Sequence, residues 1–356
     1  MKKQKNILVA PLNWGLGHAT RCVPIIRLLQ QEGANVIIGG DGMALNYLQK
    51  EFPELKSVFI PDLKVKYPKS GGYMLYFALR LPQLYTHVKK ENAYLKKLAR
   101  DLMLDGIISD NRYGLFHRRI PCVIITHQLY IKTPAFKRTV RSIVKKMISR
   151  FTATWVPDIK GNDNLSGKLS HSEKQNSAIK FVGTLSRFSQ NENTSDLKNK
   201  IIAVLSGPEP HRTQLENTLT QQLLASNYSA HLVKGLVQKS IITESISKNL
   251  QVTNYLQSKA LQQEIEQAEI VIARAGYSTI MDLVTLGKKA ILIPTPGQTE
   301  QEYLAHHLKS NSQFVFCKEG ELDIEKAIFE LDKKRPKNTL SHQFNIAELK
   351  TFLASC

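Results

Sequence analysis

A histidine follows directly on a glycine turn near the start of the chain, Gly15-Leu16-Gly17-His18 within ILVAPLNWGLGHATRC. An imidazole with an unperturbed pKa of about 6.5 is a base suited to taking a proton from a hydroxyl near neutral pH. A carboxylate partner would fix its tautomer and stabilise the imidazolium that forms. Asp110 closes the apolar run of GIISDNRYG, at a strand end where α/β enzymes place working carboxylates. Each residue also has an ordinary structural use. His18 could cap a helix or pack at a hinge, and Asp110 could cap a helix beginning near Arg112. Spacing alone does not show that the two strand ends meet. Gly15 and Gly17 suit a tight turn in which backbone approaches a ligand. Thr20 nevertheless breaks the GxGxxG or GxGxxA fingerprint, which ranks a nicotinamide dehydrogenase last.

The second half carries a different chemistry, in EIVIARAGYSTIMDLVTLGKKAILIPTPGQTEQEYLAHHL. An apolar strand ends at Arg274-Ala275-Gly276, and Tyr277-Ser278-Thr279 open a helix. Unpaired N–H groups and the helix dipole make such a start an anion site. Ser278 and Thr279 add hydroxyl donors, and Gly276 permits close approach. Asp282, one turn further in, is placed for a ribose hydroxyl pair, and Glu300-Gln301 at the next helix start suit sugar hydroxyls. Helix capping explains each piece separately but not their clustering in one βαβ unit. In LSGPEPHRTQLE, at another strand-to-helix turn, Arg212 offers a planar guanidinium of the kind that suits phosphate, or is simply an exposed arginine.

Elements of two kinds must position these groups. Short apolar runs alternate with helical stretches, the signature of α/β domains with parallel sheets. Strands are expected at 6–11, 35–39, 57–60, 106–109, 122–126 and 153–156, then at 200–205, 230–233, 250–253, 269–273, 290–294 and 313–317. Helices are expected near 19–31, 44–52, 73–100 and 136–150, then near 213–226, 259–267, 279–285 and 301–309. The polar stretch from Pro157 to Lys180 reads as loop and hinge. The expected layout is a Rossmann-like domain over 1–157, a polar loop and hinge over 158–183 and a second Rossmann-like domain over 184–337. A helix within 338–356 would pack back on the first domain. Both domains would be doubly wound and face each other across a cleft, with ligands beyond the carboxyl ends of the strands.

Composition narrows the class. A chain of 356 residues is long for one core. It has 42% hydrophobic residues and no run of 18 apolar positions, which points to a globular protein that does not span a membrane. The apolar stretch after MKKQKN is too short for a signal peptide, so a cytoplasmic protein is expected. The four cysteines form no CxxC or Cys/His cluster, which argues against structural zinc and a disulfide framework. The net charge of +19 is uneven: residues 1–180 hold 30 Lys and Arg against 12 Asp and Glu, residues 181–356 hold 19 against 18. A cationic half of this kind faces a polyanion or serves solubility alone. Within it, KTPAFKRTVRSIVKKMISRFTATW reads as a basic amphipathic helix, either lying on anionic lipid or packing its apolar stripe in the core.

The segment from Arg274 to Gln301 resembles the C-terminal nucleotide-sugar-binding motif of GT-B glycosyltransferases, notably glycosyltransferase family 28 with its MurG-type N-acetylglucosaminyltransferases. The matching positions are Arg274, Gly276, Asp282, Pro294, Glu300 and Gln301, and the GLGH turn resembles the GxGH loop of the same superfamily. The resemblance implies that Gly276, Tyr277, Ser278 and Thr279 hold the diphosphate, with Arg212 on a loop near it. It also implies that Asp282 holds the ribose, that Tyr255 and Leu256 meet the nucleobase through backbone groups, and that Glu300 and Gln301 hold the donor sugar. His18 would be the base and Asp110 its partner. One departure matters: MurG-type enzymes read Gln-x-x-Asn-Ala where this chain reads Gln301-Glu302-Tyr303-Leu304-Ala305, so the resemblance does not fix the sugar.

The resulting expectation is an inverting, metal-independent glycosyltransferase. It would move a sugar from a nucleoside-diphosphate donor, UDP being favoured, to a hydroxyl acceptor, with a lipid-linked or membrane-side acceptor as one option. No cofactor or metal is expected, there being no DxD-type motif, and no nucleic-acid partner. A nucleotide-sugar hydrolase on the same fold is the first alternative. A basic nucleic-acid or membrane binding module without catalysis is the second, and it leaves the Arg274–Gln301 cluster unexplained.

Overall fold

A computed structural model of the chain describes residues 4–63, 81–130, 137–171, 177–189, 197–238, 240–334 and 344–356. The chain divides into two units, Met1–Leu185 with His342–Cys356, and Ser186–Ser341.

In the first unit, runs rich in Ile, Val and Leu form buried parallel strands, as expected where helices cover a sheet. The elements are β1 (Asn6–Pro11), α1 (Leu16–Gln31), β2 (Asn35–Gly40), α2 (Gly42–Glu51), β3 (Lys56–Phe59), α3 (Leu81–Asp101), β4 (Gly106–Asp110), β5 (Cys122–Ile125), α4 (Lys137–Ile148), β6 (Ala153–Val156) and β7 (Ile179–Phe181). The strand order is β3-β2-β1-β4-β5-β6-β7, every neighbouring pair parallel. On one face Leu8, Ala10, Ile107 and Ile124 pack with Leu95 and Ala99 of α3 and with Phe151. The last helix of the chain (Ile346–Ser355) packs in this unit: the Phe352 ring meets Trp155 edge-on at 6.0 Å. A Cβ at Gly106 would lie 2.7 Å from the Phe352 ring, so glycine is what lets that helix close on the start of β4.

The second unit repeats the plan with β8 (Leu197–Val204), α5 (His211–Ala225), β9 (Ser229–Val233), β10 (Thr243–Ser245), β11 (Leu250–Thr253), α6 (Ser258–Gln267), β12 (Ala268–Arg274), α7 (Tyr277–Leu286), β13 (Ala290–Ile293), α8 (Thr299–His307), β14 (Phe314–Phe316) and α9 (Ile324–Asp332); the chain's last helix, Ile346–Ser355, is α10. The order is β10-β11-β9-β8-β12-β13-β14, parallel except for the antiparallel β10–β11 edge.

Four sequence expectations change. The stretch 158–183 is not only loop: it contributes β7 to the first sheet, and the division between units falls after Leu185. Its polarity is satisfied locally, since the buried Asp158 carboxylate accepts from the amides of Ile159, Leu165 and Ser166. Second, α1 starts at Leu16, not Ala19, so Gly17 and His18 lie in its first turn. Third, the apolar stripe of α4 is core, with Val144 and Met147 buried while Arg141, Lys145 and Lys146 are exposed. Fourth, β10 and α9 were not legible, one being three residues long and exposed. The expected starts of α3 at residue 73 and of the basic helix at 132–136 lie outside the described residues.

Candidate functional site

In the first sheet the chain winds outward to β3 on one side of β1 and to β7 on the other, so strand order reverses between β1 and β4. That is the switch point where open α/β sheets bind ligands. Parallel pairing sets Pro11 across from Asp110. Beyond β1 the backbone turns at Gly15 with φ 98°, a left-handed conformation that glycine adopts freely, and α1 begins. The turn is held by Asp62, whose carboxylate accepts from the Asn13 amide at 2.6 Å.

His18 and Asp110 do meet: Nδ1 lies 2.9 Å from Oδ1. Asp110 is fully buried, while the His18 side chain keeps 17% of its surface exposed. No hydrogen-bond partner contacts His18 Nε2 among the described residues. Arg21, one turn along α1 and buried, donates to both Asp110 oxygens through Nε and a terminal nitrogen. The same terminal nitrogen lies 2.8 Å from His18 Nδ1, and the other lies 3.3 Å from His127 Nδ1, on the turn after β5. Burial alone would raise the Asp110 pKa, but the Arg21 guanidinium and then His18 hold it below the usual carboxylate value. Burial, then the Arg21 charge, lower the His18 pKa against the pull of Asp110, which favours the neutral ring. Burial and the Asp110 charge push the Tyr113 hydroxyl up to about 12.

The capping role considered for Asp110 does not occur. Asn111 takes φ 55°, and no helix starts at Arg112. Arg112 is itself buried, paired with Glu91 at 2.7 Å and donating to the carbonyls of Ile60 and Pro61 at 3.0 and 2.7 Å. It ties the turn after β4 to the end of β3. Arg21 and His127 were missed because neither sits in a recognisable motif. The available signal for Arg21 was its place three residues after His18, on the same helix face.

The second sheet reverses between β8 and β12, and the groups flanking that point come from the loop before α5 and the start of α7. Gly276 is the N-cap of α7 with no side-chain cap. Its φ of −76° suits any residue, and a Cβ there would meet only Thr279 Oγ1, at 3.7 Å. Nothing within the described fold demands glycine at this position. Ser278 and Thr279 are half-buried beside it. Tyr277 opens the helix with its side chain buried, at 3% exposure.

Other expected donor contacts prove to be engaged inside the unit. Asp282 is buried, accepting from Ser186 at 2.7 Å and from Arg187 at 3.2 Å, so its carboxylate fastens the unit's first residues to α7. Arg212 pairs with Glu209 and, at 2.6 Å, with Glu216, so its charge is compensated within α5 and its preceding loop. Gln301 accepts from the Thr295 amide at 2.7 Å and donates to Gln298 at 2.7 Å, closing its own loop. Tyr255 is buried, while Leu256 and Glu300 are partly exposed. Arg274 is 1% exposed, bound to Glu319 at 2.7 Å and to the His211 carbonyl at 2.6 Å, so it clamps the end of β12 to the start of α5. His211 was missed by sequence, and both its ring nitrogens are buried without a hydrogen-bond partner among the described residues.

Comparison with known proteins bears on the fold and the class of activity. Residues 192–353 match the glycosyltransferase family 28 C-terminal domain. A protein of Methanosarcina mazei named "Uncharacterized glycosyltransferase" is 22% identical over 304 residues, 81% of this chain and 79% of its own. The UDP-N-acetylglucosamine–N-acetylmuramyl-(pentapeptide) pyrophosphoryl-undecaprenol N-acetylglucosamine transferase of Bacillus licheniformis is 29% identical over 119 residues, 32% of each chain. Among solved structures, the glycosyltransferase SnogD of Streptomyces nogalater superposes with a TM-score of 0.62 at 14% identity, covering 99% of this chain and 100% of its own. The chain is a glycosyltransferase with the two Rossmann-like units of the GT-B fold, and its residues 192–353 are similar to the family 28 C-terminal domain.

Proposed function

We propose that the chain transfers a sugar from a nucleoside-diphosphate donor, UDP in the first instance, to a hydroxyl acceptor with inversion at the anomeric carbon. The observation that carries this reading is the 2.9 Å contact between His18 and the buried Asp110, with His18 Nε2 left without a protein partner among the described residues. In the proposed reaction Nε2 takes the acceptor proton while the acceptor oxygen bonds to the anomeric carbon. The bond from that carbon to the diphosphate breaks, and its electron pair leaves with the diphosphate. The start of α7, open at Gly276 and carrying Ser278 and Thr279, supplies N–H and hydroxyl donors for that charge. No metal is assigned a role.

A lipid-linked acceptor is supported by the undecaprenol-linked substrate in the name of the Bacillus licheniformis relative, and by the exposed cations of α3 and α4, Lys89, Lys90, Lys96, Lys97, Lys145 and Lys146. Exposed cations of this kind are attracted to an anionic membrane surface. Among the described residues no helix is long and apolar enough to cross a membrane.

The test is turnover of a panel of nucleotide sugars with candidate acceptors by the wild type and by His18→Ala. Loss of a proton acceptor in the transition state should lower kcat by about a hundred- to ten-thousand-fold. Unchanged transfer would remove His18 as the base, and sugar release without acceptor would turn the reading toward hydrolysis.

A further inference from the structure

Three atoms at the first switch point make a triangle: Asp110 Oδ1, His18 Nδ1 at 2.9 Å from it, and an Arg21 terminal nitrogen at 2.8 Å from Nδ1 and bonded to Oδ1. The guanidinium can only donate and the ionised carboxylate can only accept, whereas a neutral imidazole nitrogen does one or the other. His18 Nδ1 therefore has two exclusive states. With a proton on Nδ1 it donates to Asp110, and Nε2 carries the lone pair that a base needs. Without one, Nδ1 accepts from Arg21, and Nε2 carries the hydrogen and can only donate.

We infer that Arg21 is a positioning residue that competes with His18 for Asp110 and so divides the His18 ring between a base-competent and a base-incompetent tautomer. The inference deepens the proposed function and rests on its assignment of His18 as base. Arg21 is fixed on both sides, since its Nε donates to Asp110 Oδ2 and its other terminal nitrogen faces His127 Nδ1 at 3.3 Å. It also cancels the Asp110 charge that would otherwise hold a proton on His18. The ring therefore releases to solvent or product the proton it has taken, at the expense of basicity. The titratable and charged groups facing this cluster are Arg21 and Cys22 from α1, Asp110 from β4, Tyr113 from the following turn and His127 after β5. The directions agree, since Arg21 lowers the His18 pKa and Asp110 raises it.

The experiment is nitrogen-15 NMR of the histidine rings in the full chain, for the wild type, Arg21→Gln and Arg21→Lys, together with the pH profile of kcat/KM. In the wild type, the ring shifts should report a mixture in which a substantial share of neutral His18 carries its proton on Nε2. A ring wholly protonated at Nδ1 overturns the inference, and this reading needs no variant to fold. In Arg21→Gln, His18 should titrate about one pH unit higher and move toward the Nδ1-protonated form, with the acid limb of kcat/KM following it. Arg21→Lys, which keeps the charge but not the fork, should leave the titration in place. An unmoved His18 titration in folded Arg21→Gln overturns the inference. If the NMR titration moves while the rate profile does not, the control of the His18 tautomer by Arg21 stands, while the assignment of His18 as base, and with it the catalytic meaning of the two tautomers, fails.

Discussion

The two switch points solve different electrostatic problems with different materials. In the first unit the space beyond β1 and β4 is filled with charge that is already compensated: Asp110 beneath Arg21, with His18 and His127 at either arm of the guanidinium. In the second, the space beyond β12 is left open by small residues at a helix start. The glycines show the contrast. Gly15 is required by its backbone, at φ 98°, whereas Gly276 has an ordinary φ of −76° and no close neighbour where a Cβ would stand. Moving a proton calls for fixed charges that hold one ring, while gripping a diphosphate calls for room and aligned N–H groups. A glycine that the fold does not need is accordingly a stronger sign of ligand than one that it does.

The sharpest way to break this comparison is Asp110→Ala. It leaves Arg21 as an unpaired buried cation, and the loss of stability should be about 3–5 kcal/mol in denaturant unfolding. A variant as stable as the wild type would show that the first site is not a compensated charge cluster. At the second site, Gly276→Asp should weaken donor binding by about ten-fold, as a carboxylate at a helix start opposes an anion. Gly276→Ala should leave unfolding within about 0.5 kcal/mol of wild type, because the new methyl meets no backbone strain and one contact at 3.7 Å. Titration with nucleoside diphosphates and thermal unfolding measure the two effects separately.

Asp282→Asn sharpens the division within the second unit. If the residue serves to hold Ser186 and Arg187, stability should fall by about 1–3 kcal/mol with donor affinity little changed. A selective loss of donor affinity would restore the ribose role. The smallest effect is in pH. The His18 pKa is lowered on folding, so the unfolded chain binds more protons below pH 6.5 and stability falls as pH drops through that region. The Asp110 pKa is also depressed, so its contribution is present above the ordinary carboxylate value of 3.8 and lost as pH falls through its lower folded value. His18→Ala should flatten the first of these declines in a melting-temperature series between pH 7 and 5.

All twelve strands expected from apolar runs are present, because buried parallel strands are continuous stretches of Ile, Val and Leu whose pattern survives without tertiary help. Strands β7 and β10 escaped because each is a three-residue edge strand, held by one neighbour more than by its own sequence. At the candidate sites, the residues at strand ends and at the helix starts that follow them were legible: His18, Asp110, Gly276 and Ser278. The residues that hold them were not. Arg21 and Arg112 sit in no recognisable motif, yet both are almost wholly buried and paired. Asp282, Arg212 and Gln301 read as ligand contacts, yet each is satisfied inside the unit.

Local sequence determined the elements themselves, the left-handed turn at Gly15 and the uncapped helix start at Gly276, since these depend on sterics and hydrogen bonds a few residues long. Tertiary structure alone decided that His18 reaches Asp110 across 92 residues, and that Arg21 comes between them in the same network. The physical reason is that parallel pairing of β1 with β4 sets which strand ends coincide, and a buried charge is stable only where that pairing brings it a partner.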